Sequence, residues 1–215
     1  MRLSLALILF LAGSSFAQTF SFGVKGGVPL TDGFAASKGS PTSYASVAPR
    51  YTAGPAAEIG VPLFGLSVEA DALYRRIGWD SSRAATPLFE PFQSAARMGA
   101  WEFDALLKHH VGGPGVHAYL GAGAAFSRLF TTRETYTFPG PPPRFLSKQM
   151  VDEVRRKNIG GIVVSAGIAF GGAIRVAPEL RYTRWLSDNI IDGFPNLRTQ
   201  ANQAEVLVSL TFGRH

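Results

Sequence analysis

The sequence contains no cysteine. Disulfides, thiolate metal centres and cysteine nucleophiles are therefore excluded together, and stability has to come from packing and from backbone hydrogen bonds. Long apolar runs are missing too: the stretch from Leu3 to Ala12 is about ten residues, where a membrane-crossing helix needs roughly 20. Histidine occurs only at positions 109, 110, 117 and 215. Beyond residue 18, few segments place apolar residues at helical spacing.

What is present begins with Arg2, the apolar run and the small-residue stretch Gly13-Ser14-Ser15-Phe16-Ala17. This is the pattern of a secretory signal peptide over residues 1–17, with cleavage expected before Gln18. No Pro/Ser-rich linker divides the remainder, so residues 18–215 are expected to form one domain. Net charge is +6 for the chain and +5 once Arg2 leaves with the signal. Export argues against a nucleic-acid partner. Much of the excess lies between Arg128 and Lys157, which hold seven Lys/Arg against three Asp/Glu, as a solvated loop would.

The dominant period is two. Phe20, Phe22, Val24 and Val28 alternate with Ser21, Gly23, Lys25 and Gly27, giving one apolar and one polar face. The pattern recurs in seven further segments: 52–61, 64–75, 101–108, 116–127, 161–170, 174–183 and 203–212. Each is about the length that a tilted strand needs to cross hydrocarbon. The connections alternate as well. Short ones fall near Pro62, at Gly112 to Gly115 and at Gly171-Gly172, and long ones at Pro29–Pro49, Arg76–Ala100, Arg128–Gly160 and Arg184–Ala201. An up-and-down meander then gathers every short turn at one end, the asymmetry of barrels with periplasmic turns and external loops.

A sheet in a bilayer must close, because an open edge leaves N–H and C=O groups unpaired at several kcal/mol each. The expected fold is therefore all-β, an eight-stranded antiparallel up-and-down transmembrane β-barrel preceded by a cleaved signal peptide. Its apolar face would meet lipid, and its polar face would fill the lumen. The interior set contains Lys25, Arg75, Lys108, Arg175 and Arg181 with Glu58, Glu69, Asp71, Glu102, Asp104, Glu179 and Glu205. Buried charges persist mainly when paired, so a compensating network is expected, with Glu205 near Lys25 or Arg181. Trp101 and Tyr74 at the external side, and Phe22, Phe64, Phe170 and Phe212 at the other, would form interfacial girdles.

The run Trp101-Glu102-Phe103-Asp104-Ala105-Leu106-Leu107-Lys108, followed by a Gly-rich turn and Ala118-Tyr119-Leu120-Gly121-Ala122-Gly123, resembles a strand-turn-strand unit of small outer-membrane β-barrel proteins (OmpA-like, OmpX-like, porin-family). Pro178-Glu179-Leu180-Arg181-Tyr182-Thr183 is similar to that group's arginine-bearing seventh strand, and Val206 to Phe212 to its C-terminal insertion signal. Asp104 stands where the family often has proline, and Gly213-Arg214-His215 runs past the usual terminal aromatic. The resemblance implies a bacterial outer-membrane protein without an established reaction, inserted by the barrel-assembly machinery. Function still has to be argued from a site.

No catalytic, cofactor or metal site is expected. An outer-membrane lipid-modifying enzyme would need a His near the external leaflet, and all four map to the periplasmic end. Adjacent His109 and His110 point to opposite faces of a strand, so at most two imidazoles converge with His117. The glycine clusters lack the strand-to-helix setting of a phosphate loop. A lumen filled by eight strands leaves no diffusion pore. The external loops are thus the expected seat of a structural or adhesive role, in a monomer whose partners are membrane lipid and lipopolysaccharide. Arg144, Arg155, Arg156 and Lys157 are the candidate anion contacts. A secreted soluble barrel whose apolar face lines a ligand cup is the alternative that the same alternation allows.

Overall fold

The computed structural model describes residues 20–36, 42–47, 51–61, 65–113, 115–148, 156–190 and 197–213. The expected signal segment, Phe64 and Arg155 lie outside them. Eight long strands form the wall: β1 (Phe20–Pro29), β4 (Thr52–Val61), β5 (Leu66–Arg83), β6 (Phe92–Gly113), β7 (Val116–Phe138), β9 (Asn158–Gly171), β10 (Ile174–Trp185) and β12 (Asn202–Gly213). Four short ones belong to connections: β2 (Phe34–Ala36), β3 (Thr42–Ser46), β8 (Arg144–Lys148) and β11 (Leu197–Thr199).

Each wall strand pairs antiparallel with its neighbour, and the ring closes where β12 meets β1 through Phe22↔Phe212, Val24↔Leu210 and Val28↔Val206. Closure leaves the wall no free edge in its central part, as a sheet surrounded by hydrocarbon requires. The short turns use glycine where the backbone demands it, with φ of +138° at Gly112, +89° at Gly115 and +113° at Gly171, a region that side chains with a Cβ rarely adopt.

Burial follows the period-two pattern. Phe22, Val68, Phe103, Val164 and Leu210 are 37–59% exposed on the outer face, while the intervening side chains are buried inside. The soluble-cup alternative is thereby inverted, for apolar groups face out and charges face in. An outer aromatic band runs through Phe126, Phe103, Trp101, Tyr74 and Phe130 with centroid spacings of 5.5–6.5 Å. Phe20, Phe22 and Phe212 adjoin one another at the short-turn end.

The long connections differ from expectation. Segments 76–100 and 128–160 are not irregular loops throughout, because β5, β6 and β7 continue well past the aromatic band as one twisted sheet that β3 and β8 widen. In β5 the inward apolar positions persist at Ile77 and Trp79, but the outward positions turn polar at Arg76, Asp80 and Ser82. The strand goes on while its outer medium changes from apolar to aqueous, and a pattern based on outward apolar residues stops there.

Candidate functional site

Alternation sends all twelve expected charges into the lumen, where each is buried. They stack in tiers. In the middle tier, Lys25 on β1 reaches across the lumen to Glu69 (2.5 Å) and Asp71 (3.0 Å) on β5 and to Glu179 (3.3 Å) on β10. Lys108 on β6 meets Glu69 at 2.6 Å and Glu179 at 3.3 Å, and its ammonium lies 4.1 Å from the centroid of the Tyr119 ring. Arg181 holds Asp104 (2.5 Å), Asp71 (2.6 Å) and Glu179 (2.7 Å) with one guanidinium fork. The Tyr119 hydroxyl donates to Glu179 at 2.9 Å. It fits only because Gly167 opposite has no Cβ to strike the ring.

Toward the long-loop end, Arg75 pairs with Glu102 and with Glu205 (3.2 Å), and donates to the Gln203 side chain at 2.9 Å. The expected partner of Glu205 is therefore corrected. Arg181 is its register neighbour on β10, but that guanidinium is taken up by four other carboxylates, Asp71, Asp104, Glu179 and, at 3.4 Å, Glu69, and Glu205 reaches Arg75 across the lumen instead. In a narrow closed barrel, cross-lumen reach competes with cross-strand adjacency.

At the short-turn end, Glu58 accepts from Ser67 at 2.5 Å and lies 2.9 Å from His110, while Arg175 donates to Ser21 at 3.0 Å. His110 and His117 face each other at 5.0 Å between centroids, and His109 is exposed on the opposite face. Among the described residues, no group of three His, Cys, Asp or Glu is placed to hold a metal. Ser67, His110 and Glu58 do not form a nucleophile relay either: Ser67 is fully buried, and both its hydroxyl and the Glu58 carboxylate approach the same imidazole nitrogen.

The long-loop end is closed by a feature that sequence reasoning missed. Phe34 from the first connection and Ile190 and Leu197 from the last fold inward onto Trp79, Met98 and Leu129, forming an apolar plug above the charged tiers. Phe34 meets Trp79 edge-on at 4.9 Å. The two connections are tied together by β2–β11 pairing and by the Gln200 N–H donating to the Gly33 carbonyl (3.0 Å), and within the last connection the Asp188 carboxylate accepts from the Ile190 and Thr199 backbones (both 2.9 Å) and the Thr199 hydroxyl (2.6 Å). The only advance signal was a handful of apolar residues in otherwise polar connections.

Of the candidate anion contacts, Arg144 lies on β8 and is paired with Glu90 at 2.6 Å. The Arg156 N–H donates to the Asn189 carbonyl and the Arg156 carbonyl accepts from the Asn189 side-chain amide at 2.7 Å, while the Lys157 carbonyl accepts from the Leu129 N–H. The segment at Phe138 to Phe145 is exposed from Pro139 onward, as expected of a solvated loop, but it is ordered as a strand-turn-strand margin of the sheet, with β8 paired to β7. Glu134, outside every expected strand, is buried and accepts from Ser94 at 2.8 Å.

No protein-family model and no curated protein matches the chain. Solved structures do. OprG of Pseudomonas aeruginosa superposes over 91% of this chain and 95% of its own, with a TM-score of 0.54 at 12% identity. Neisserial surface protein A covers 91% and 96% with a TM-score of 0.48 at 12% identity, and the Ail protein of Yersinia pestis 90% and 99% with 0.38 at 9% identity. At such identities, likeness speaks for architecture alone. Ring closure, inverted burial and the superposition on OprG together give this chain the fold of the small outer-membrane β-barrel proteins.

Proposed function

We propose that the chain is an integral protein of a Gram-negative outer membrane, with a structural or adhesive role exercised at its long-loop end and without catalysis. The observation that carries this reading is the belt. Every described Asp, Glu, Lys and Arg belongs either to the twelve lumen residues or to the long-loop end, so the wall between them is apolar and uncharged. Such a surface is costly in water and suited to acyl chains. A depression of about 620 Å³ in the outer wall, lined by Val111, Ala118, Leu120, Ile168, Leu180 and Val206, is a dip in the same belt.

Charge supports the orientation. The long-loop end holds eleven described cations against five acids, Asp32, Asp80, Glu90, Glu134 and Asp188, and Arg76 and Arg128 stand beside the aromatic band. Cations at that level meet the phosphates of lipopolysaccharide in an external leaflet, and clustered positive charge is attracted to such a surface. Expression followed by membrane fractionation tests the reading. The chain is expected in the outer-membrane fraction, with different gel mobility before and after boiling. A soluble chain, or one with heat-insensitive mobility, overturns it.

A further inference from the structure

Above the aromatic band, the outer face of the extended sheet bears a cleft of about 480 Å³ that the barrel architecture does not require. Its wall is the set of outward side chains from four strands: Ser43 and Ala45 on β3, Asp80 and Ser82 on β5, Gln93, Ala95 and Arg97 on β6, Thr135 and Thr137 on β7. A β-bulge lies beside it, where the β6–β7 register shifts between Arg97 and Gly99. Below the bulge, the even-numbered residues of β7 face outward, as Phe126 does; above it the odd-numbered ones do, which is how Thr135 and Thr137 join the cleft. Bulges bend a sheet and re-aim side chains in this way, commonly at sites.

The chemistry of the cleft is selective. Asp80 and Arg97 pair at 2.8 Å, each about half exposed (50% and 47%), so they cancel in charge while keeping open hydrogen-bonding capacity. Arg97 is fixed further by donating to the carbonyls of Trp79 (3.1 Å) and Ala96 (2.9 Å). Around the pair stand an amide and four hydroxyls, of which Ser43 and Ser82 are linked at 2.8 Å, and the apolar surface comes chiefly from the methyls of Ala45 and Ala95, with the threonine methyls and Tyr44 also bordering the cleft. An apolar ligand or a peptide's aromatic anchor finds no matching pocket here. Among the lining residues a polyanion finds no cation but Arg97, which Asp80 compensates, and Arg133, the exposed register neighbour of Arg97 on β7, stands outside the lining. A ligand that offers many hydroxyls, each both donor and acceptor, and a flat C–H face for the two methyls can replace the water that the cleft gives up.

We infer that this cleft binds a neutral saccharide. The inference deepens the proposed function and rests on its orientation. Asp80 is six residues beyond Tyr74 on β5, roughly 20 Å along the strand. The cleft therefore opens sideways at the height of the sugar portion of neighbouring lipopolysaccharide, above the acyl chains.

The test uses the full chain folded in detergent micelles, with core oligosaccharide released from lipopolysaccharide and stripped of its acidic sugars and phosphates, neutral mammalian-type oligosaccharides, and a heparin fragment as probes. Saturation-transfer NMR is expected to show contact with a neutral oligosaccharide, and Gln93→Ala with Thr135→Val should weaken it at least 5-fold while boiled and unboiled mobilities stay as in the parent chain. A response to the core oligosaccharide assigns the ligand to the chain's own membrane; a response to the mammalian-type probe alone upholds saccharide binding and assigns it to another cell. No response to either neutral probe, an unchanged response in the double variant, or salt-sensitive preference for heparin overturns the inference. A chain that fractionates with the outer membrane yet binds no sugar defeats this inference and leaves the proposed function standing.

Discussion

Arg181 shows how one residue organises the lumen. Its side chain is fully buried and contacts Asp71, Asp104 and Glu179, which approach one planar fork from β5, β6 and β10. Burial of an ion costs several kcal/mol, and only good pairing offsets it. Replacing Arg181 by Met therefore does more than delete contacts, since it strands carboxylates that the remaining Lys25 and Lys108 cannot all reach. Urea unfolding of the barrel in lipid vesicles should register a loss of about 3–5 kcal/mol for Arg181→Met, and a smaller loss for Arg181→Lys, which keeps the charge but not the fork. A Met variant as stable as the parent would mean that the network contributes nothing net.

At the scale of the strand, β9 separates the two media with single-residue resolution: Val163 is fully buried and Val164, next to it, is 44% exposed. Val164→Arg is expected to cost about 2–4 kcal/mol near the middle of the bilayer, with Val164→Leu close to neutral, measured by the same unfolding titration. Equal effects of the two would place Val164 in water. This strand-level alternation was legible in the sequence because period two is a property of adjacent residues, and so the wall strands and the lumen charges could be assigned from β1, β5 and β10 without a structure. Two kinds of feature were not legible. Partners across the lumen, such as Arg75 with Glu205, depend on how far side chains reach in three dimensions, which strand order does not encode. The plug and the cleft arise where the outward face meets water: Trp79 and Asp80 are neighbours on one strand, yet one belongs to an apolar plug and the other to a polar cleft, and no lipid-facing pattern flags either.

For the whole molecule, the two closures lie in series along one axis. The charged tiers fill the lumen at the level of Lys25, Lys108 and Arg181, and the plug of Phe34, Trp79, Met98, Leu129, Ile190 and Leu197 covers them at the long-loop end. Between the two, among the described residues, lies a void of about 20 Å³ bordered by Arg75, Glu102, Leu129 and Gln203, no larger than a water molecule's own site. Ion passage would have to break the ion pairs and lift the plug together, and the two are held by unrelated interactions, electrostatic in one case and apolar in the other. Opening the plug alone is therefore insufficient. In planar lipid bilayers the parent chain should give no sustained conductance, and neither should Leu197→Ala, which loosens the plug but leaves every ion pair in place. Discrete conductance steps in the parent chain would show that the lumen network rearranges at equilibrium. Steps confined to Leu197→Ala would show that the plug, and not the charged tiers, is the seal.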